Sequence, residues 1–132
     1  MDAAQADKTL LVVEDNEVAR EGLANVLSRH GYAVALAANG KEALDYLAGN
    51  PAPDLILLDM LMPVLDGWRF LEQLKQSGRL GTAPVVVTTG TVLTREWARD
   101  HGCAGFLKKP IEVDPLLEEI RRCLGAEPGR GA

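Results

Sequence analysis

The chain has 132 residues, 47% of them hydrophobic and 25% charged, with a formal net charge of −5, a composition that suits one globular domain with a proper core. The acidic balance works against independent nucleic-acid binding, which needs clustered Lys and Arg. Cys103 and Cys123 are too few and too scattered for a disulfide framework or a zinc site and read as free thiols of a cytoplasmic protein; no basic-then-apolar leader and no apolar run of membrane-spanning length is present.

Residues 1–8 are small and polar and are expected to form a flexible N-terminus, and residues 125–132, rich in Gly and Pro, a flexible tail, leaving one domain over residues 9–124. The domain opens on an apolar run, Leu10-Leu11-Val12-Val13, that reads as a strand. Asn16 then caps a helix carrying Val18, Leu23, Val26 and Leu27 and ending near Gly31. A second strand, Ala33-Val34-Ala35-Leu36, is followed by Asn39 and Glu42 at capping-box spacing, with Ala43, Leu44 and Leu47 on one helical face.

Leu55-Ile56-Leu57-Leu58 is the third strand, and Phe70, Leu71 and Leu74 stripe the next helix up to Gly78. Val85-Val86-Val87 is the fourth. The stretch from residue 90 to 102 is short and polar and predicts a truncated fourth helix with Leu93, Trp97 and Ala98. Gly105-Phe106-Leu107 is the fifth strand, and a last helix starts at Asp114-Pro115 with Leu116, Leu117, Ile120 and Leu124 inward. Most of the runs are unbroken rather than alternating, as in strands covered on both faces. Five βα units joined by right-handed crossovers predict a parallel sheet with helices on both sides.

In such a sheet, ligands bind beyond the carboxyl ends of the strands. The first strand ends in Glu14-Asp15-Asn16, the third in Asp59, the fourth in Thr88-Thr89-Gly90 and the fifth in Lys108-Lys109-Pro110. Singly, each of these residues has a plain structural reading as a helix cap, a strand-end hydroxyl or a solvated lysine. Together, three carboxylates would repel one another unless a hard divalent cation joined them. Mg²⁺ suits such a set, because it takes oxygen ligands and only one or two carboxylates. Lys109 and Thr89 add a positive charge and a hydroxyl donor to what would then be a phosphoryl-binding site.

The motifs resemble the receiver domain of two-component response regulators. They are Leu11-Val12-Val13-Glu14-Asp15-Asn16, Asp54-Leu55-Ile56-Leu57-Leu58-Asp59-Met60-Leu61-Met62-Pro63, Leu65-Asp66-Gly67, Pro84-Val85-Val86-Val87-Thr88-Thr89-Gly90 and Phe106-Leu107-Lys108-Lys109-Pro110. The resemblance covers residues 9–124. It implies a flavodoxin-like (βα)5 fold with strand order 2-1-3-4-5, and a phosphorylation-dependent switch rather than an enzyme. By it, Asp59 is the phosphoacceptor, supplied by a sensor histidine kinase or a histidine phosphotransfer protein. Asp15 and Asp59 would bind Mg²⁺ directly, Glu14 through a water, and Leu61 through its backbone carbonyl. Lys109 would pair with Asp59 or its phosphate, Thr89 and Phe106 would form the switch pair, and the Lys109–Pro110 peptide would be cis.

The same resemblance implies a downstream protein target, no direct nucleic acid or membrane contact, and a monomer or weak dimer through the fourth helix, fifth strand and fifth helix. Apolar Leu61, two residues after Asp59, cannot orient an attacking water, so self-dephosphorylation is expected to be slow. Thr91 occupies the second position that flanks the site. Trp68 is expected to pack half exposed, Trp97 to lie toward solvent, and His30 and His101 to end helices. A stand-alone receiver without its own output domain is expected; the chain could instead be an excised receiver of a larger regulator or hybrid kinase. An aspartate-nucleophile phosphohydrolase of the haloacid dehalogenase kind fits less well, since its nucleophile ends the first strand.

Overall fold

The computed structural model describes residues 8–60, 67–78, 83–90 and 92–125. Five strands and five helices alternate: β1 (Thr9–Val13), α1 (Glu17–Arg29), β2 (Ala33–Ala37), α2 (Gly40–Gly49), β3 (Leu55–Asp59), α3 (Gly67–Gln76), β4 (Val85–Thr89), α4 (Arg95–Asp100), β5 (Gly105–Lys108) and α5 (Val113–Gly125). The sheet is parallel throughout, in the order β2-β1-β3-β4-β5. Residues 1–7 and 126–132 of the expected flexible ends, together with Leu61, Met62, Pro63, Leu65, Asp66 and Thr91, lie outside the described residues, while Gly125 ends the last helix.

Side chains alternate across each strand, so the sheet builds two cores. Leu11, Val13, Ile56, Leu58, Val85 and Val87 pack with Ala43, Phe70, Leu71, Leu74 and Ala98, from α2, α3 and α4. Leu10, Val12, Leu55, Leu57, Val86 and Leu107 pack with Leu27, Leu116, Leu117, Ile120 and Cys123, from α1 and α5. Both faces of β1, β3 and β4 are therefore covered, and the unbroken apolar runs follow from that. β2 is less covered. It is an edge strand, as the order 2-1-3-4-5 implies, and its Leu36 is 44% exposed.

Capping follows the predicted chemistry. The Asn16 side chain accepts from the Ala19 N–H at 2.8 Å, and Asn39 accepts from the Glu42 N–H at 2.9 Å. Glu42 reaches back to the N–H of Ala38, one residue before the cap, rather than to Asn39. His30 and His101 are the C-caps of α1 and α4, each with Nδ1 hydrogen-bonded to the carbonyl four residues back. Gly31, Gly78 and Gly102 follow helices with positive φ, the left-handed turn that favours glycine.

Three expectations need correction. Val18 is 81% exposed rather than inward, because the Asn16 cap fixes a phase in which Leu23, Val26 and Leu27 meet the core. α5 starts at Val113, one residue before Asp114, so Pro115 falls in the first turn rather than at its first position, where its missing N–H still costs no helical bond. Trp97 does not stand in solvent. It is half-buried against the core, with the Trp68 ring set edge-on at 4.6 Å and the His101 ring stacked at 4.2 Å. Trp68 is 47% exposed, as expected. α4 is six residues long, capped by Thr94.

Candidate functional site

Register places the acids. Val13 pairs with Leu58 across β1 and β3, so the chain steps from there into Glu14 and Asp59 side by side at the carboxyl edge of the sheet. Here the order turns, with β1 leading outward to β2 and β3 to β4, and the crevice opens between them. Asp59 is opposite Thr88, and Thr89 opposite Lys108. The Lys109 N–H donates to the Thr89 carbonyl at 2.8 Å, which sets the Lys109 side chain over the crevice. The Lys109–Pro110 peptide is cis.

Carboxylate oxygens of Glu14, Asp15 and Asp59 lie within 4.8 Å of one another. Glu14 and Asp59 are 2% and 3% exposed, while Asp15 is open to solvent. The Lys109 ammonium stands 3.2 Å from Glu14 Oε1 and 3.4 Å from Asp59 Oδ2. Burial would lower the Lys109 pKa, but attraction to Asp59 and Glu14 outweighs it and holds the ammonium above its ordinary value. Lys109 thus bridges two buried carboxylates, of which the sequence pointed only to Asp59. The Asn16 N–H donates to Glu14 Oε2 at 3.1 Å, fixing the second oxygen of that carboxylate.

One lysine does not balance three carboxylates gathered in so small a space. The donor set is all oxygen, two of its members are buried, and its third faces water. That combination fits Mg²⁺, a hard cation that keeps part of its coordination shell in solvent or phosphate oxygen.

Arg20, which sequence reasoning missed, braces the acidic loop from α1. Its Nη1 donates to the carbonyls of Glu14 at 2.9 Å and Asp15 at 3.4 Å. The signal was its place one helical turn beyond the Asn16 cap, on the side that returns toward β1. Gly67 closes the other side. Its N–H donates to the Met60 carbonyl, and a β-carbon there would stand 2.7 Å from Met60 Cα and 3.0 Å from the Asp59 carbonyl oxygen. Only glycine lets α3 start this close to the end of β3.

Thr89 is 1% exposed at the end of β4, and Phe106 is partly buried with Leu93 and Trp97 against the core. A cavity of about 400 Å³ borders the crevice between α1 and α5. Glu14 and Lys109 form one wall, and Ala19, Gly22, Leu23, Val26 and Ile111 are among the residues of its apolar body. Among the described residues no helix is long and apolar enough to cross a membrane.

Comparison with known proteins agrees with this layout. The response regulator receiver domain family matches residues 10–121. The chain is 40% identical over 117 residues to the response regulator MprA of Mycobacterium sp. (strain KMS), covering 87% of this chain and 50% of that protein. The chain therefore spans about half the length of the curated relatives it matches. Among solved structures, the receiver domain of Francisella response regulator 1452 superposes with a TM-score of 0.81 at 25% identity, covering 89% of this chain and 97% of that one. The signal receiver domain of a signal transduction histidine kinase from Syntrophus aciditrophicus superposes with a TM-score of 0.79 at 32% identity, covering 95% and 96%.

Proposed function

The chain belongs to the response regulator receiver domain family, a family of phosphorylation-dependent switches in two-component signalling, and from that premise we propose that Asp59 is its phosphoacceptor. The observation that carries the assignment is the buried Asp59 carboxylate within 4.8 Å of those of Glu14 and Asp15 and 3.4 Å from the Lys109 ammonium.

In this reading an Asp59 oxygen attacks the phosphorus of a phosphohistidine in line. The P–N bond breaks with its electron pair returning to the imidazole, and an acyl phosphate forms. Asp15, Asp59, Glu14 through a water, and the carbonyl of Leu61 are the residues that would hold Mg²⁺, which when bound supplies positive charge to the transferring group. Lys109, already between Glu14 and Asp59, remains as the counter-charge to the new phosphate. Thr89 donates its hydroxyl to a phosphate oxygen, Phe106 follows it inward, and the surface of α4, β5 and α5 changes shape for a downstream protein. Leu61 offers the acyl phosphate no group to orient water, so its hydrolysis is slow. Two buried free thiols, Cys103 and Cys123, suit a cytoplasmic setting.

The donor is a sensor histidine kinase or histidine phosphotransfer protein. It must lie on a surface that borders the crevice, and the apolar cavity between α1 and α5 reaches both Glu14 and Lys109. The half-length coverage of the relatives favours a second reading of context, in which this receiver is one part of a longer regulator or hybrid kinase. Incubation with Mg²⁺ and acetyl phosphate, read by intact mass, tests the assignment. It predicts a phosphoryl-sized gain that vanishes in Asp59→Asn; a gain that persists in that variant overturns it.

A further inference from the structure

β5 is an edge strand, and its outward main-chain groups need partners. Side chains meet those of Phe106 and the carbonyl of Ala104, just before the strand. The Ala104 carbonyl accepts from Arg122 Nη2 at 2.8 Å, the Phe106 N–H donates to Glu119 Oε2 at 2.8 Å, and the Phe106 carbonyl accepts from Arg95 Nη2 at 3.3 Å. The three side chains also join one another. Arg95 Nη1 donates to Glu119 Oε2 at 2.7 Å, and Arg122 donates to the same carboxylate through Nε and Nη2, both at 3.1 Å. Gly105 makes room for this clasp, since a β-carbon there would meet Glu119 Oε2 at 2.8 Å and Cys123 Sγ at 2.9 Å.

The two arginines hold Glu119 on different terms. Arg122 sits one turn away on α5 and cannot leave with any other element. Arg95 is the first residue of α4, 24 positions distant, and it ties the start of that helix to α5 and to the backbone of Phe106. α4 has six residues, too few to hold a helix without outside anchors. Its inner side is anchored by Ala98 and Trp97, and its first turn by Arg95. If Arg95 lets go, Glu119 keeps Arg122 and the Phe106 N–H, so no buried carboxylate is orphaned. Arg95, with a side chain 54% exposed, passes into water.

We propose that Arg95 is the releasable half of a latch that holds α4 in its resting position, with Glu119 and Arg122 as the fixed half. The inference rests on the reading of Asp59 as phosphoacceptor and adds how the response is restrained. Thr89 and Arg95 are separated by five residues, so a shift of Thr89 toward a phosphate pulls on the start of α4, and the latch opposes it.

The test uses the full chain and Arg95→Ala, with two measurements. The first is amide hydrogen exchange without phosphodonor. The amides of Ala98, His101 and Cys103 are expected to exchange about ten-fold faster or more in the variant, while those of residues 10–13 and 56–58 keep their rates. The second is titration with beryllofluoride and Mg²⁺. Half-saturation is expected at about three-fold lower beryllofluoride in the variant, because the competent conformer is no longer restrained. Unchanged exchange in α4 overturns the latch, and unchanged or weaker beryllofluoride binding overturns its link to the switch. Failure of the wild type to bind beryllofluoride at all would remove the Asp59 reading instead, and the exchange measurement still decides whether Arg95 anchors α4.

Discussion

The ammonium of Lys109 lies between the buried carboxylates of Asp59 and Glu14, 3.4 Å from one and 3.2 Å from the other. The two acids sit at the ends of neighbouring strands, where register makes them adjacent, and the lysine reaches them from the end of β5. Lys109→Gln leaves both without their counter-charge. In metal-free buffer at pH 7 it is expected to destabilise the fold by about 1–3 kcal/mol, less than for a fully buried pair because Lys109 is 34% exposed. Mg²⁺ should narrow the gap. The Lys109 pKa is raised in the fold, so its contribution is fully present below the ordinary lysine value and is lost as pH rises above that value through the raised one. Urea unfolding of both proteins with and without Mg²⁺ checks this, and equal stabilities without the metal would contradict it.

Gly67→Ala forces a β-carbon against Met60 Cα and the Asp59 carbonyl. Backbone cannot yield as a side-chain tip can, so the start of α3 or the end of β3 must move. A loss of about 1–3 kcal/mol is expected, with a lowered rate of phosphorylation by acetyl phosphate because Asp59 moves with its strand. Thermal melts and intact-mass time courses measure the two effects. A variant with unchanged melting and unchanged rate contradicts the close packing.

Glu119 links acid stability to the α4–β5–α5 face. Burial raises its pKa, but hydrogen bonds from Arg122, the Phe106 N–H and Arg95 outweigh this and hold it down at about 2. A depressed carboxylate stabilises the fold above its unfolded value and loses that contribution as pH falls toward its folded one. Glu119→Gln should therefore be less stable than wild type by about 1–3 kcal/mol at pH 7. The difference should shrink as pH drops from about 4.5 toward 2. Urea midpoints at several pH values give the curve, and a gap that stays constant into acid would exclude the network as its source.

Gly22 lines the cavity between α1 and α5, and a β-carbon there meets nothing within 4 Å. Gly22→Glu is thus tolerated by the fold while placing a charge where the donor protein would seat. Transfer from a cognate histidine kinase is expected to fall about ten-fold or more, with phosphorylation by acetyl phosphate unchanged. Unchanged transfer from the kinase would move the docking surface elsewhere.

Much of this was legible in the sequence because it depends on local order. The apolar runs of β1, β3 and β4 mark buried strands, and the residues ending them mark the crevice, since a parallel sheet brings its carboxyl ends together. The exposure of Leu36, by contrast, does not show in the run Ala33-Val34-Ala35-Leu36 itself, because it follows from the edge position of β2. The burial of Trp97 is not legible because its partner Trp68 reaches it only when α3 and α4 pack, although His101, four residues on, stacks on it locally. The Arg95–Glu119 pair spans 24 residues, a separation that no local spacing joins. Its one local sign is Arg122 three residues beyond Glu119, beside the inward stripe of Leu116, Ile120 and Cys123.

The most direct measurement is of where the phosphoryl group resides. After reaction with acetyl phosphate and Mg²⁺, borohydride reduces an acyl phosphate to an alcohol, converting the modified aspartate to homoserine, and tandem mass spectrometry reads its position. Homoserine is expected at residue 59, with aspartate retained at residues 15 and 54. Homoserine at another acid, with Asp59 unmodified, would contradict the assignment.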